Sequence, residues 1–237
     1  MRINRAFLTL ICAGACIAAA AAAGYDRLAE RASRSFQWEE WSSAAAMYEL
    51  MLKERPDSLS SYARAITANQ MVGDSAATVE LVERAMSHGI GLSAVLEAVR
   101  LTDFSIGQGD RYGTYLHHLR NSIPWMSRAL DNELLGYYTF RNDGPMMVKY
   151  ANIMLAGLPD SVEYLALLAK GQLLAGQPAE AAATWKKILE IDPDNFPTLV
   201  LLGNYYLQQG NETEGKTLLS KAQSVKQTPY ITTLLQP

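Results

Sequence analysis

Along residues 161–176, SVEYLALLAKGQLLAG, apolar side chains recur every three or four residues, which gathers them on one stripe of an α-helix. Gly176 follows where such a helix needs a left-handed residue to end on. A second run, AEAAATWKKILEI over 179–191, repeats the period before Pro193 stops it. Its small Ala181 lets two helix axes approach, and Trp185 fills the space left beside the small side chains. The pattern predicts a helical hairpin. A hairpin this short cannot bury both of its faces, so it must stack on neighbours of the same kind.

Those neighbours are legible from a recurring phrase. MLKERPDS at 51–58 returns as MLAGLPDS at 154–161 and as ILEIDPDN at 188–195. In each, apolar residues close a helix, Pro forbids its continuation and extends the residue before it, and a following Asp, Ser or Asn is suited to cap the next helix. In the first phrase the capping residue is Asp57 or Ser58. Pro159 and Pro193 stand 34 residues apart, and Pro56 precedes Pro159 by three such periods and one residue. With the proline as position 32, units fall at 25–58, 59–92, 93–126, 127–161, 162–195 and 196–229, the fourth carrying the extra residue. The fifth has Leu165, Leu168, Ala169, Gly176, Ala181, Trp185, Ile188 and Pro193 in register, and the sixth follows with Leu199, Leu202, Gly203, Tyr206, Gly210, Leu219 and Ala222. The others keep the phase with departures: Arg31 at an apolar position and Glu39 at the glycine position of the first unit, and Ile90 in place of proline in the second.

This pattern resembles the tetratricopeptide repeat, whose helix-turn-helix unit has the same period and small-aromatic alternation. The resemblance covers 25–229 and implies an all-α fold, a right-handed superhelical solenoid of about six units forming one repeat domain over 24–237. The tail at 230–237, YITTLLQP, has no charge and is expected to dock on the last pair.

The N-terminus follows a different pattern. Arg2 and Arg5 precede an uncharged run from Ala6 to Ala23, the layout of an export signal, with Ala21-Ala22-Ala23 offering a small-residue cleavage point. The eighteen residues 6–23 are also long enough to span a bilayer, which would tie the chain to a membrane. Cleavage near Ala23 is the preferred reading of 1–23, with an uncleaved anchor and lipidation at Cys16 as rivals. Either way the repeats are expected outside the cytoplasm, in a bacterial periplasm or on a membrane. Cys12 and Cys16 are the only cysteines, so cleavage would remove thiol chemistry from the mature chain.

Composition adds exclusions. With 49% apolar and 19% charged residues the chain is an ordinary folded protein, and a net charge of −3 leaves no basic surplus for nucleic acid. His117 and His118 are adjacent, about 100° apart on a helix, whereas a helical zinc pair needs i, i+4 spacing. DPDN at 192–195 lacks the glycine and terminal Glu of a calcium loop, and GQGDRYG at 107–113 lacks a nucleotide fingerprint. No nucleophile, base and orienting group assemble. The reading is therefore a non-enzymatic scaffold without metal or cofactor.

What the resemblance implies about a site is a groove lined by the first helices of successive pairs, near positions 2, 5, 9, 12 and 13. Positions 12 and 13 give a line that is largely apolar or aromatic, from which Phe36, Met71, Phe104, Tyr138, Leu174 and Leu207 are assigned to partner binding, with Asn204 beside them. The basic residues of a carboxylate clamp are sparse, Arg128, Lys170 and Asn204 being the nearest candidates. The partner expected is a peptide or protein held through apolar anchors, as in an envelope assembly. The rival reading is a structural or self-associating spacer anchored to a membrane.

Overall fold

In the computed structural model, residues 23–235 are described, so the leader with Cys12 and Cys16 lies outside the described residues. Thirteen α-helices and one 3-10 turn make up the described chain, with no strand among them. They pair as hairpins: α1 (23–37) with α2 (Trp41–Glu54), α3 (Leu59–Val72) with α4 (Ser75–Ser87), and α5 (Leu92–Ser105) with α6 (Gly109–Ser122). After a 3-10 turn at Pro124–Met126 come α7 (Ser127–Arg141) with α8 (Gly144–Gly157), α9 (Val162–Leu174) with α10 (Pro178–Ile191), and α11 (Phe196–Gln208) with α12 (Glu212–Val225). A last helix, α13, spans Pro229–Leu235. The chain divides into two compact units, one ending at Ile123 and one beginning at Pro124. No helix of the described residues is long and apolar enough to cross a membrane.

All six hairpins close with the same backbone device. In the second, the Gly73 amide donates to the Gln70 carbonyl at 3.2 Å and the Asp74 amide reaches back to Asn69 at 2.9 Å, with Gly73 at φ +81°. Gly107, Gly176 and Gly210 repeat it. In the fourth hairpin the left-handed residue is Asn142, one place late, which puts the extra residue before it, in a fifteen-residue α7. In the first hairpin it is Glu39 at φ +61°. A side chain costs about 1 kcal/mol or more in this conformation and glycine costs none. Glu39→Gly should therefore stabilise the first unit by about 1 kcal/mol, read as a higher midpoint in thermal unfolding.

The joints between hairpins use the proline phrase where it exists. Helices α2, α8 and α10 end before Pro56, Pro159 and Pro193, and the side chains of Ser161 and Asn195 accept the amides of Tyr164 and Thr198 at 3.4 and 3.2 Å. Ser58 occupies the N-cap of α3 but spends its hydroxyl on Ser61, at 2.9 Å. Where Ile90 replaces proline, Gly89 supplies the stop instead, at φ +83°, and the Ile90 amide closes on the Ala85 carbonyl at 3.1 Å.

Small residues against large ones build each core. In the first unit Ala32, Ala44, Ala65 and Ala85 are fully buried beside Tyr48, Tyr62, Leu81 and Leu96. In the second, Trp185 sits among Leu165, Ala169, Ala181, Ile188 and Leu202. Gly144, the first residue of α8, lies so close to the end of α9 that a Cβ there would come within 2.5 Å of the Ala175 amide nitrogen. The tail helix α13 docks through Ile231, wholly buried against Leu199, Leu219 and Ala222.

Candidate functional site

Residues one helical turn apart share a face, so Ser33 and Gln37 on α1, and Leu101 and Ser105 on α5, point the same way from their helices. Together with Arg64 of α3, Thr102, and the side chains of Phe36, Glu39, Trp41 and Ile106, they line a depression of about 490 Å³ in the first unit, with Ser33, Gln37, Leu101 and Ser105 at equivalent places. These are positions 9 and 13 of the first and third repeats. Arg64 is held rather than loose. Its guanidinium donates to the Tyr48 hydroxyl at 3.2 Å and lies 5.9 Å from the centre of that ring. Burial raises the Tyr48 phenol above its usual value, and Arg64 offsets part of that rise, so tyrosine stays protonated and accepts from a permanently charged partner. The surface offers one fixed cation, the Glu39 carboxylate, hydroxyls and an amide that can pair with a peptide backbone, and the apolar side chains of Phe36, Trp41, Leu101 and Ile106. Nothing there resembles a nucleophile with its base. Among the described residues no group of His, Cys, Asp and Glu is arranged to hold a metal ion.

The residues expected to form an apolar groove divide between exposed and packed positions. Phe36 borders the same depression but is 7% exposed, packed edge-on against Trp41 and Tyr48 with ring centres 5.2 and 6.1 Å away. The Phe104 ring lies over Gly109 of α6, where an added Cβ would be 2.7 Å from it. Tyr138 stacks on Tyr150 of α8 at 5.7 Å, and Leu207 packs against Gly215 of α12. The reason is rotational: position 12 sits about 100° behind position 13 and looks onto the second helix of its own hairpin. Met71 is half-buried, its sulfur 3.0 Å from an Arg111 nitrogen on α6. Asn204 accepts the Tyr230 hydroxyl at 3.3 Å, tying α11 to α13. Leu174 is exposed at the end of α9. Phe36, Met71 and Phe104 belong to the first unit and Tyr138, Leu174, Asn204 and Leu207 to the second.

Sequence reasoning passed over a polar cluster in the first unit. Asp103, 1% exposed, takes the Thr67 hydroxyl at 2.7 Å on one carboxyl oxygen, while the other is buried without a hydrogen-bond partner. Burial pushes its carboxyl up to about 6, with Thr67 and Arg111 pulling the other way. The signal was available: Asp103 continues the buried stripe of Leu96 and Val99 at +7 and +4.

The hairpins and their shared closing turn define the class: an all-helical repeat protein. Comparison with known proteins agrees. Residues 172–236 match the family model described as tetratricopeptide repeat, so a repeat of that kind is present at the C-terminal end. Among solved structures, PilW, titled a widely conserved type IV pilus biogenesis factor, aligns at 16% identity over 90% of this chain and 98% of its own, with a TM-score of 0.51. The C-terminal part of a tetratricopeptide-repeat protein from Cytophaga hutchinsonii aligns at 13% identity over 83% of this chain and 78% of its own, with a TM-score of 0.49. MamA aligns at 17% identity over 70% of this chain and 96% of its own, with a TM-score of 0.48. At such identities the likeness to PilW shows the fold alone. No curated protein matches the chain.

Proposed function

We propose that this chain is a non-enzymatic scaffold of the cell envelope that holds a peptide segment of a partner protein on the first-helix face of its first unit. The observation that carries this reading is the depression bounded by Ser33, Gln37, Arg64, Leu101 and Ser105, in which a fixed guanidinium and several hydrogen-bonding side chains lie beside the exposed Leu101 and the apolar Phe36, Trp41 and Ile106, with the Glu39 carboxylate at its edge. Extended peptides present unpaired backbone groups and alternate side chains, and a surface of this composition can satisfy both. The envelope assignment rests on the leader, Arg2 and Arg5 ahead of the uncharged run to Ala23. Mass measurement of the mature protein tests it: a chain starting at Gly24 supports export, whereas one starting at Met1 indicates an uncleaved leader.

The binding face is tested with peptides selected against the whole chain by display. Leu101→Asp should weaken them by about tenfold or more, since it buries a charge under an apolar contact, while the far-ultraviolet dichroism stays unchanged. Phe104→Ser, chosen from the seam side of α5, is the comparison. Equal binding by the Leu101→Asp variant and the parent would rule out this face.

A further inference from the structure

A second recess in the first unit has a different lining and a different chemistry. It measures about 260 Å³ and is bordered by Gln70 at the end of α3, Ser75 at the start of α4, and Arg111, Thr114, Tyr115 and His118 along α6. Tyr115 is 4% exposed and its hydroxyl has no hydrogen-bond partner among the described residues. The buried Nε2 of Gln70 is likewise without one. Arg111 stands at the recess with a nitrogen 3.3 Å from the Gln70 carbonyl and 3.0 Å from the Met71 sulfur, and no carboxylate of the described residues lies within ion-pair distance of it. His118 places Nε2 3.1 Å from the Ser75 carbonyl, so that nitrogen carries the proton. Of the nearby carboxyls, Asp74 accepts the Ala77 amide at 2.9 Å, and Asp103 holds the Thr67 hydroxyl on one oxygen and leaves the other without a hydrogen bond.

The recess thus sets a single permanent positive charge among hydroxyl, amide and imidazole groups that can donate, those of Thr78 and Thr114 included. We propose that it receives the carboxylate of an acidic side chain carried by a bound protein. Arginine's planar fork matches a carboxylate edge on, and the Tyr115 hydroxyl and Gln70 amide would supply further donors to the same two oxygens. A phosphoryl group fits less well. It brings up to two negative charges against one cation.

The test uses the full chain and three probes: a blocked Gly-Glu-Gly tripeptide, its Gly-Gln-Gly counterpart, and inorganic phosphate, each titrated by nuclear magnetic resonance. The glutamate peptide should bind saturably and the other two should not. Arg111→Gln, a change at an exposed residue, should weaken binding about tenfold or more, and Tyr115→Phe, which removes one oxygen, by about threefold to tenfold. Arg64→Gln, in the other depression, should leave it unchanged. Absent saturation, equal binding of the glutamine peptide, binding of phosphate in place of glutamate, or loss in Arg64→Gln with Arg111→Gln spared would each overturn the assignment.

Discussion

Trp185→Ala should cost the second unit about 3 to 5 kcal/mol of stability, measured as a lower midpoint in urea unfolding followed by far-ultraviolet dichroism. The indole is 4% exposed and is walled by Leu165, Ala169, Ala181, Ile188 and Leu202, with Tyr205 edge-on at 6.5 Å. Two of those walls are alanines, fully buried, with no side chain that can swing into a void. The gap would stay open, so both the lost transfer energy and the cavity count against the variant. Trp185→Phe keeps a ring in place and should lose less than half as much. A loss under about 1 kcal/mol for the alanine variant would mean that α9 and α10 close over the gap, which the helix spacing set by Ala169 and Ala181 opposes.

The second large effect depends on pH and belongs to Asp103. Its carboxyl is raised in the folded chain, from an ordinary value of 3.8 to about 6, because burial penalises the charged form. Between those two values the folded chain binds more protons than the unfolded one, so stability falls as pH rises through that window and is level above it. The full difference is about 3 kcal/mol at roughly 1.4 kcal/mol per unit. Asp103→Asn keeps the shape and an acceptor for the Thr67 hydroxyl without the charge. Subtracting its stability from the parent's at each pH removes the contribution of other groups. The difference should grow from near pH 4 to pH 6 and then hold, with the variant the more stable at pH 8. A difference that does not change with pH would show that the carboxyl has its ordinary affinity for protons.

The hairpin boundaries were legible because they are written in residues whose backbone is restricted. Proline at 56, 159 and 193 and glycine at 73, 107, 176 and 210 act through φ alone, so their meaning does not depend on what packs nearby. The binding face was less legible. Phe36 and Gln37 are neighbours in sequence and both border the depression, yet the phenylalanine is packed against Trp41 and Tyr48 while the glutamine is exposed. A register argument correct to one residue still misses by about 100° on a helix. Apolar character alone does not separate a seam from a groove: at the same repeat position Phe36 is buried and Phe104 is 42% exposed. Asp103 and Tyr115 were hidden for another reason: their significance lies in what they fail to meet across α3, α5 and α6, and no local pattern records an absent partner.

The six closing turns carry a consequence for ancestry. Each is held by main-chain amides and carbonyls, and even Glu39 and Asn142 satisfy it where glycine is missing. Selection on such a turn sees little of side-chain identity, so the helices between turns are free to drift so long as small residues keep facing large ones. Lineages that diverged long ago would then retain the architecture after losing most recognisable sequence.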